Sequence, residues 1–241
     1  MVAVNAGVVQ PTGYSYFRDM FGTRPTDGRA EARAFGPYPG ADTGLADREI
    51  RQALGGLFRL GGLPASEIMV EEVECWRGYV RADYLCVRDD HLAVIEIKSD
   101  RDTMSRFDEQ VRVYSAIADR VTLVVGWNLA ARALRRAPCW WQVLLAEREA
   151  DTGARFVTLR DGGRNPAVDA GSLVWMLPIA DVRSLASEVG VRETIQPRQL
   201  RERVARQASD DALREAVRAW LARLSAQRMA SVRMPRVDRI R

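Results

Sequence analysis

The sequence predicts a mixed α/β fold in which helices pack on a sheet, followed by a C-terminal helical region. Three observations carry that expectation. The runs EIMVEEVECW, YVRADYLCV and HLAVIEIK follow one another closely, are rich in Val, Ile and aromatic residues, and are separated by short polar or Gly-containing breaks, as in an antiparallel meander. A helix-spaced apolar stripe precedes them, and a second follows and leads into the buried-looking run VTLVVG. Beyond the loop RDGGRNPAVD the spacing turns helical to the end of the chain.

Taken in order, residues 1–44 read as an N-terminal arm, residues 45–165 as the core and residues 166–241 as a helical region with a basic tail. The arm is rich in Gly, Pro and aromatics and shows no sustained period. In the first helix Leu45, Ile50, Ala53, Leu54, Leu57 and Phe58 form the stripe, Glu49 lies within it, and glycines with Pro64 end it. The three strands come next. In SRFDEQVRVYSAIA the stripe is Phe107, Val111, Tyr114 and Ala118, with Ser105 as the expected N-cap. A strand, helix and strand in this order imply a parallel pairing with a right-handed crossover. A further helix, NLAARALRRA, and strand, WWQVLLAE, extend the sheet. Pro197 marks a helix start, and Ser209 with Asp210 and Asp211 opens an amphipathic helix through Leu213, Val217, Trp220 and Leu224.

Composition excludes some classes. The start MVAVNAGVVQ lacks the basic residues and apolar run of a signal peptide, and no stretch reaches the length of a membrane span, so the expected location is the cytoplasm with no membrane partner. Cys75, Cys86 and Cys139 are odd in number, form no C-x-x-C pair and lie in apolar stretches, which predicts reduced core residues. His91 is the sole histidine, which excludes nuclease chemistry built on several histidines. A net charge of +4 permits a polyanionic partner without demanding one.

The chemistry converges on the second and third strands. If Asp89 and Asp90 form the hairpin tip, Arg88 faces His91 and Asp83 falls opposite Glu96, with Cβ atoms about 4.5 to 5.5 Å apart. Lys98, two residues on, shares that face, while Ile95 and Ile97 point into a core on the other. Two adjacent carboxylates repel and ask for a divalent cation, and oxygen ligands select Mg²⁺ or Mn²⁺. Lys98 is the one lysine among 36 basic residues. Were the drift to arginine indifferent to position, it would fall on this spot about once in 36 trials. A lysine beside a metal orients or deprotonates the attacking water, a task for which the always-charged guanidinium is poorly suited. The alternative is a lysine that merely pairs with Glu96 or Asp83 in a half-buried sheet.

The pattern Asp83-(x12)-Glu96-Ile97-Lys98 resembles the signature of the PD-(D/E)xK, or restriction-endonuclease-like, superfamily, with Ala82 where that pattern nominally has proline. Gln110 and Tyr114 on the following helix resemble the Q-x-x-x-Y motif of RecB-like members, and Glu49 matches an acidic residue that many members add to the metal site. The stretch from EIKSDRDTMSRFDEQVRVYSAIADRVTLVVG to the RNPAVD loop is similar to a family of bacterial and phage proteins of this superfamily, over about residues 45 to 170. The resemblance implies a restriction-endonuclease-like core of helix, three-stranded meander, helix and strand. It implies a Mg²⁺- or Mn²⁺-dependent nuclease acting on DNA, in a setting such as repair, recombination or phage and host defence. Asp83, Glu96, the Ile97 carbonyl and Glu49 would hold the metal, and Lys98 would position the water.

Gln110, Tyr114 and the arginines of the basic C-terminal helix, Arg198 and Arg201 with Arg203 and Arg206, are the candidates for substrate contacts, the alternatives being core packing for Tyr114 and a solvated surface for the arginines. Trp140 and Trp141 offer a stacking face or belong to the core. The reading allows a homodimer. A non-catalytic nucleic-acid-binding or assembly module on the same fold is the alternative.

Overall fold

The computed structural model describes residues 44–60, 67–88, 91–150, 153–192 and 196–233. The arm expected over residues 1–44, apart from Gly44, the tip residues Asp89 and Asp90, and the basic tail beyond Arg233 lie outside the described residues.

A six-stranded sheet has the order β1-β2-β3-β4-β5-β6. Strands β1 (Ile68–Cys75), β2 (Val80–Arg88) and β3 (His91–Lys98) are antiparallel neighbours. Strands β4 (Arg120–Val125) and β5 (Gln142–Glu149) join in parallel, and β6 (Gly153–Arg160) pairs antiparallel with β5. Parallel joins need crossovers, supplied here by helices α2 (Phe107–Ile117) and α3 (Trp127–Arg136). Helix α1 (Asp47–Leu60) precedes the sheet. A 3-10 helix (Ala170–Trp175) and helices α4 (Ile179–Glu188), α5 (Pro197–Gln207) and α6 (Asp210–Arg233) follow it. The fold is thus mixed α/β with a C-terminal helical region. Among the described residues no helix is long and apolar enough to cross a membrane.

Alternation along β3 sends its side chains to two cores. Ala93, Ile95 and Ile97 join Leu45, Ile50 and Leu54 beneath α1, whereas Leu92 and Val94 join the larger core formed with α2, α3 and the C-terminal helices. Leu200, Val204, Leu213, Val217 and Leu221 belong to that larger core, so the C-terminal helices bury their apolar stripes against the sheet side of the molecule.

Three local expectations are corrected. Helix α2 is capped by Arg106 with no side-chain hydrogen bond, and the Ser105 hydroxyl instead lies 3.0 Å from that of Thr103, so the turn is closed by backbone geometry. Cys75 and Cys86 are buried, but Cys139 is exposed, because it sits in the turn after α3 rather than in a strand. Strand β6 was not anticipated: it is an edge strand whose Ala154, Phe156 and Leu159 are buried while Arg155 and Thr158 are exposed, which dilutes its apolar signal. Elsewhere Ser209 Oγ accepts the Ala212 N–H at 3.2 Å, the expected cap of α6, and Pro197 occupies the first turn of α5.

A buried ion pair fastens α6 to the sheet. Asp119, fully buried just before β4, accepts the Leu92 N–H at 2.9 Å and both Arg214 guanidinium nitrogens at 2.6 and 3.0 Å. Removing Arg214 leaves the buried Asp119 charge to the Leu92 N–H and the more distant, exposed Arg164 at 3.8 Å. Arg214→Ala should therefore lower unfolding stability by about 3 kcal/mol in urea titrations, whereas a loss under about 1 kcal/mol would mark the pair as no stronger than a surface bridge.

Candidate active site

The β2–β3 ladder runs from Arg88↔His91 to Tyr84↔Ile95, the expected register. The next step would set Asp83 against Glu96, and there the backbone pairing stops. Asp83 Oδ2 accepts the Ile97 N–H at 2.7 Å, so a side chain takes over the ladder bond. The cause lies one strand further out. Val70 and Val73 on β1, like Ala82 and Leu85 on β2, all reach the larger core although three positions separate each pair. Both strands leave strict alternation at Glu72 and Asp83, where Glu72 takes φ +48°.

Glu96 is buried on the side of β3 covered by α2. Its Oε1 accepts Lys98 Nζ at 2.7 Å and Gln110 Nε2 at 2.5 Å, and its Oε2 accepts the Tyr114 hydroxyl at 2.7 Å. Gln110 and Tyr114, four apart, lie on the buried face of α2 and reach one carboxylate together. The Tyr114 hydroxyl also lies 3.1 Å from the Arg81 carbonyl, tying α2 to β2. The loop after β6 steadies this helix: Asn165 Nδ2 donates to the carbonyls of Ser115 and Ala118 at 2.7 and 2.8 Å, groups left open at a helix C-terminus. Gly126, beyond β4, donates its N–H to the Lys98 carbonyl at 2.8 Å and packs so closely on Asp100 that an added Cβ would lie 2.6 Å from its carboxyl carbon. Only glycine fits at that approach.

Asp83, Glu96, Lys98, Gln110 and Tyr114 are thus brought into one cluster, and Glu49 is not. Glu49 Oε2 accepts the Ala46 N–H at 2.8 Å, the N3 half of a capping box, and its Oε1 accepts Arg148 at 2.9 Å. These contacts hold its carboxyl below the ordinary range, the Arg148 hydrogen bond contributing most. The α1 residue that reaches the site is Arg51, whose guanidinium contacts Asp47 at 2.7 Å, Glu72 at 2.8 Å and Asp83. The sequence reading missed it because Asp47 and Arg51, spaced i,i+4, look like an ordinary surface pair.

Electrostatics follow from this packing. Burial, reinforced by the negative charge of Asp83, pushes the Glu96 carboxyl up to about 7 against the pull of Lys98 and Tyr114. Asp83 is raised too, chiefly by burial, with the Ile97 N–H and Arg51 opposing. Burial also raises the Tyr114 phenol, and Glu96 raises it further, so Tyr114 stays a hydrogen-bond donor. Burial works against the Arg51 charge, yet Asp83, Asp47 and Glu72 keep it protonated.

Among the described residues no group of three or more His, Cys, Asp or Glu is arranged to hold a metal ion. The available oxygen donors are Asp83, Glu96 and Ile97, whose carbonyl points to the same strand edge as the N–H that Asp83 takes. Such a set suits a hard cation that keeps several waters. Gln110 Oε1, buried without a donor among the described residues, would be met by one of those waters. A metal would share the carboxylates with Arg51 and Lys98, the cations already on them.

The remaining expected contacts divide. Arg198 is exposed and pairs with Glu202 at 3.0 Å. Arg201 is buried, donates to the Val174 carbonyl at 2.5 Å and lies 5.8 Å from the Trp175 ring, so it braces α5 on the 3-10 helix and is not presented to a phosphate. Trp141 is fully buried against Phe107 and Tyr114, and Trp140 is half-buried beside it.

Compared with known proteins, residues 43–240 match the family model described as Bacteriophage P4 protein cII. A solved structure, the SPO1766 protein of unknown function from Silicibacter pomeroyi, is similar at 18% identity over 73% of this chain and 85% of that one, with a TM-score of 0.37. No curated protein matches the sequence.

A group whose folded pKa is raised from 4.5 to about 7 loses stabilisation as pH climbs between those values, since the folded form there holds a proton that the unfolded form has released. Glu96→Gln should therefore gain stability relative to wild type on going from pH 4 to pH 8 in EDTA. Thermal unfolding of both proteins across that range checks the sign, and a difference independent of pH would disprove the raised carboxyl.

Proposed function

Within the bacteriophage P4 protein cII family, to which this chain belongs, we propose that this member hydrolyses DNA phosphodiester bonds with the help of Mg²⁺ or Mn²⁺. The observation that carries the reading is the gathering of Lys98, Gln110 and Tyr114 on the buried carboxylate of Glu96, one strand away from Asp83. The element order of α1, the β1–β3 meander, α2 and β4 supports it by its likeness to the PD-(D/E)xK core.

Asp83, Glu96 and the Ile97 carbonyl would hold the cation. Bound there, it would stabilise charge on the scissile phosphate and acidify the attacking water. Lys98, held 2.7 Å from Glu96 Oε1, is placed to orient that water. Tyr114 and Gln110 fix the Glu96 carboxylate so that its position does not depend on the cation. Arg51, on the outer side of Asp83, balances the negative charge that remains when no cation is bound.

A second reading has its own observation. Arg51 and Lys98 already supply a positive group to each carboxylate, as in a module that binds nucleic acid without cutting it.

Single-turnover cleavage of labelled linear, circular and single-stranded DNA with Mg²⁺, Mn²⁺ or EDTA separates the two. Asp83→Ala, Glu96→Ala and Lys98→Ala should each slow cleavage by about 10²-fold or more, with folding checked by circular dichroism. Lys98→Arg should be nearly as slow, because the guanidinium keeps its proton and is too broad for a pocket in which the lysine side chain is 13% exposed. DNA bound without cleavage by the wild type would favour the second reading. An arginine variant at near-normal rate would show that Lys98 acts through charge alone.

A further inference from the structure

The β1–β2 hairpin builds a second surface that neither the metal site nor the sequence motifs use. Trp76, Arg77 and Gly78 take φ of +48°, +62° and +84° in succession. Left-handed conformations at a Trp and an Arg are uncommon and costly, so the tight turn is maintained by its surroundings. Its effect is to place the Trp76 and Tyr79 rings against Arg112 of α2, whose guanidinium carbon lies 5.8 Å from the first ring and 5.0 Å from the second. Together with Arg77, Ser172 and Trp175 they line an open cleft of about 400 Å³.

Two features of the cleft describe its ligand. Its walls are aromatic, and Tyr79 is one of two large hydrophobic residues that stand exposed among the described residues. Its charged lining residues are both arginines, with no carboxylate among the lining groups. A flat π system bearing negative charge answers both, because bases stack on aromatic rings and arginine planes while the guanidinium groups meet phosphate.

The cleft is built on α2 and the turn that enters β2, and these same two elements, α2 and β2, carry part of the acidic cluster. Arg112 stands on α2 between Gln110 and Tyr114, and the Arg81 carbonyl that contacts the Tyr114 hydroxyl lies two residues beyond Tyr79. We infer that the Trp76–Tyr79–Arg112–Trp175 cleft binds an unpaired nucleotide of single-stranded DNA and leads that strand to the Glu96 site. As a substrate assignment this rests on the nuclease reading; as a binding site it stands without it.

Anisotropy of a fluorescent twelve-nucleotide oligothymidylate, titrated with the full chain in EDTA, tests the cleft with no cleavage in play. Competition by unlabelled duplex and by heparin, a polyanion without bases, separates stacking from charge. We expect Tyr79→Ala and Arg112→Ala each to weaken oligothymidylate binding about tenfold, Tyr79→Phe to keep it, and Tyr79→Ala to leave heparin binding and the melting temperature unchanged. Wild-type strength in both alanine variants would overturn the inference, as would equal losses for oligothymidylate and heparin, or a wild type that prefers duplex. A protein that cuts DNA but ignores Tyr79 loses the cleft alone. One that binds through Tyr79 but never cuts loses the nuclease reading alone.

Discussion

A carboxylate placed under a helix in the middle of a sheet has to be answered by donors, and Glu96 imposes that demand on everything around it. Isolated in an apolar interior the charge would cost many kcal/mol, so its burial is tolerable only with partners in place. Lys98 answers from the same strand, and Gln110 and Tyr114 answer from α2. That requirement fixes how α2 lies across the sheet, since both side chains must reach one carboxylate. The supports of α2 then become part of the site: Asn165 closes the carbonyls at its C-terminal end, and Asp119, immediately after it, anchors α6 through Arg214. The C-terminal helices thereby hold the helix that holds Glu96.

Around this centre, charge is sorted by depth. The two carboxylates lie between a lysine and an arginine that belong to the chain itself, and burial keeps both acids reluctant to ionise. For Glu96 this brings the carboxyl into the neutral range, where functional carboxylates are commonly found. The hairpin cleft reverses the arrangement, with arginines over aromatic rings at the surface. On the proposed reading, a polyanion would meet the surface cations before the buried acids.

Much of the site was legible because its determinants are local. The register of β2 on β3 follows from the hairpin spacing between Arg88 and His91 and runs as expected to Tyr84↔Ile95, one step short of the expected Asp83–Glu96 pair. The helical spacing of Gln110 and Tyr114 put both on one face. Lys98 could be singled out because it is the only lysine in the chain. The meander, the crossover helices and the final amphipathic helix were equally plain, since each repeats an apolar residue at its own period.

What escaped the sequence depends on contacts between residues far apart in the chain. Glu49 and Arg51 sit two positions apart on one helix, yet the first turns to its own N-terminus and to Arg148, while the second reaches Asp83, 32 residues on. Arg201 carries the same charge as Arg198, but packing of α5 on the 3-10 helix buries one and exposes the other. The edge strand β6 carries too few apolar residues to announce itself and forms because β5 offers a free ladder. The exposed aromatic surface lies at Tyr79 and not at Trp140–Trp141, since the tertiary fold, and not ring content, decides which rings meet water. Periodicity and spacing determined the elements and the acidic pair, being properties of residues close in sequence. Which charges face one another was left to the assembled fold, because electrostatics and desolvation act through space.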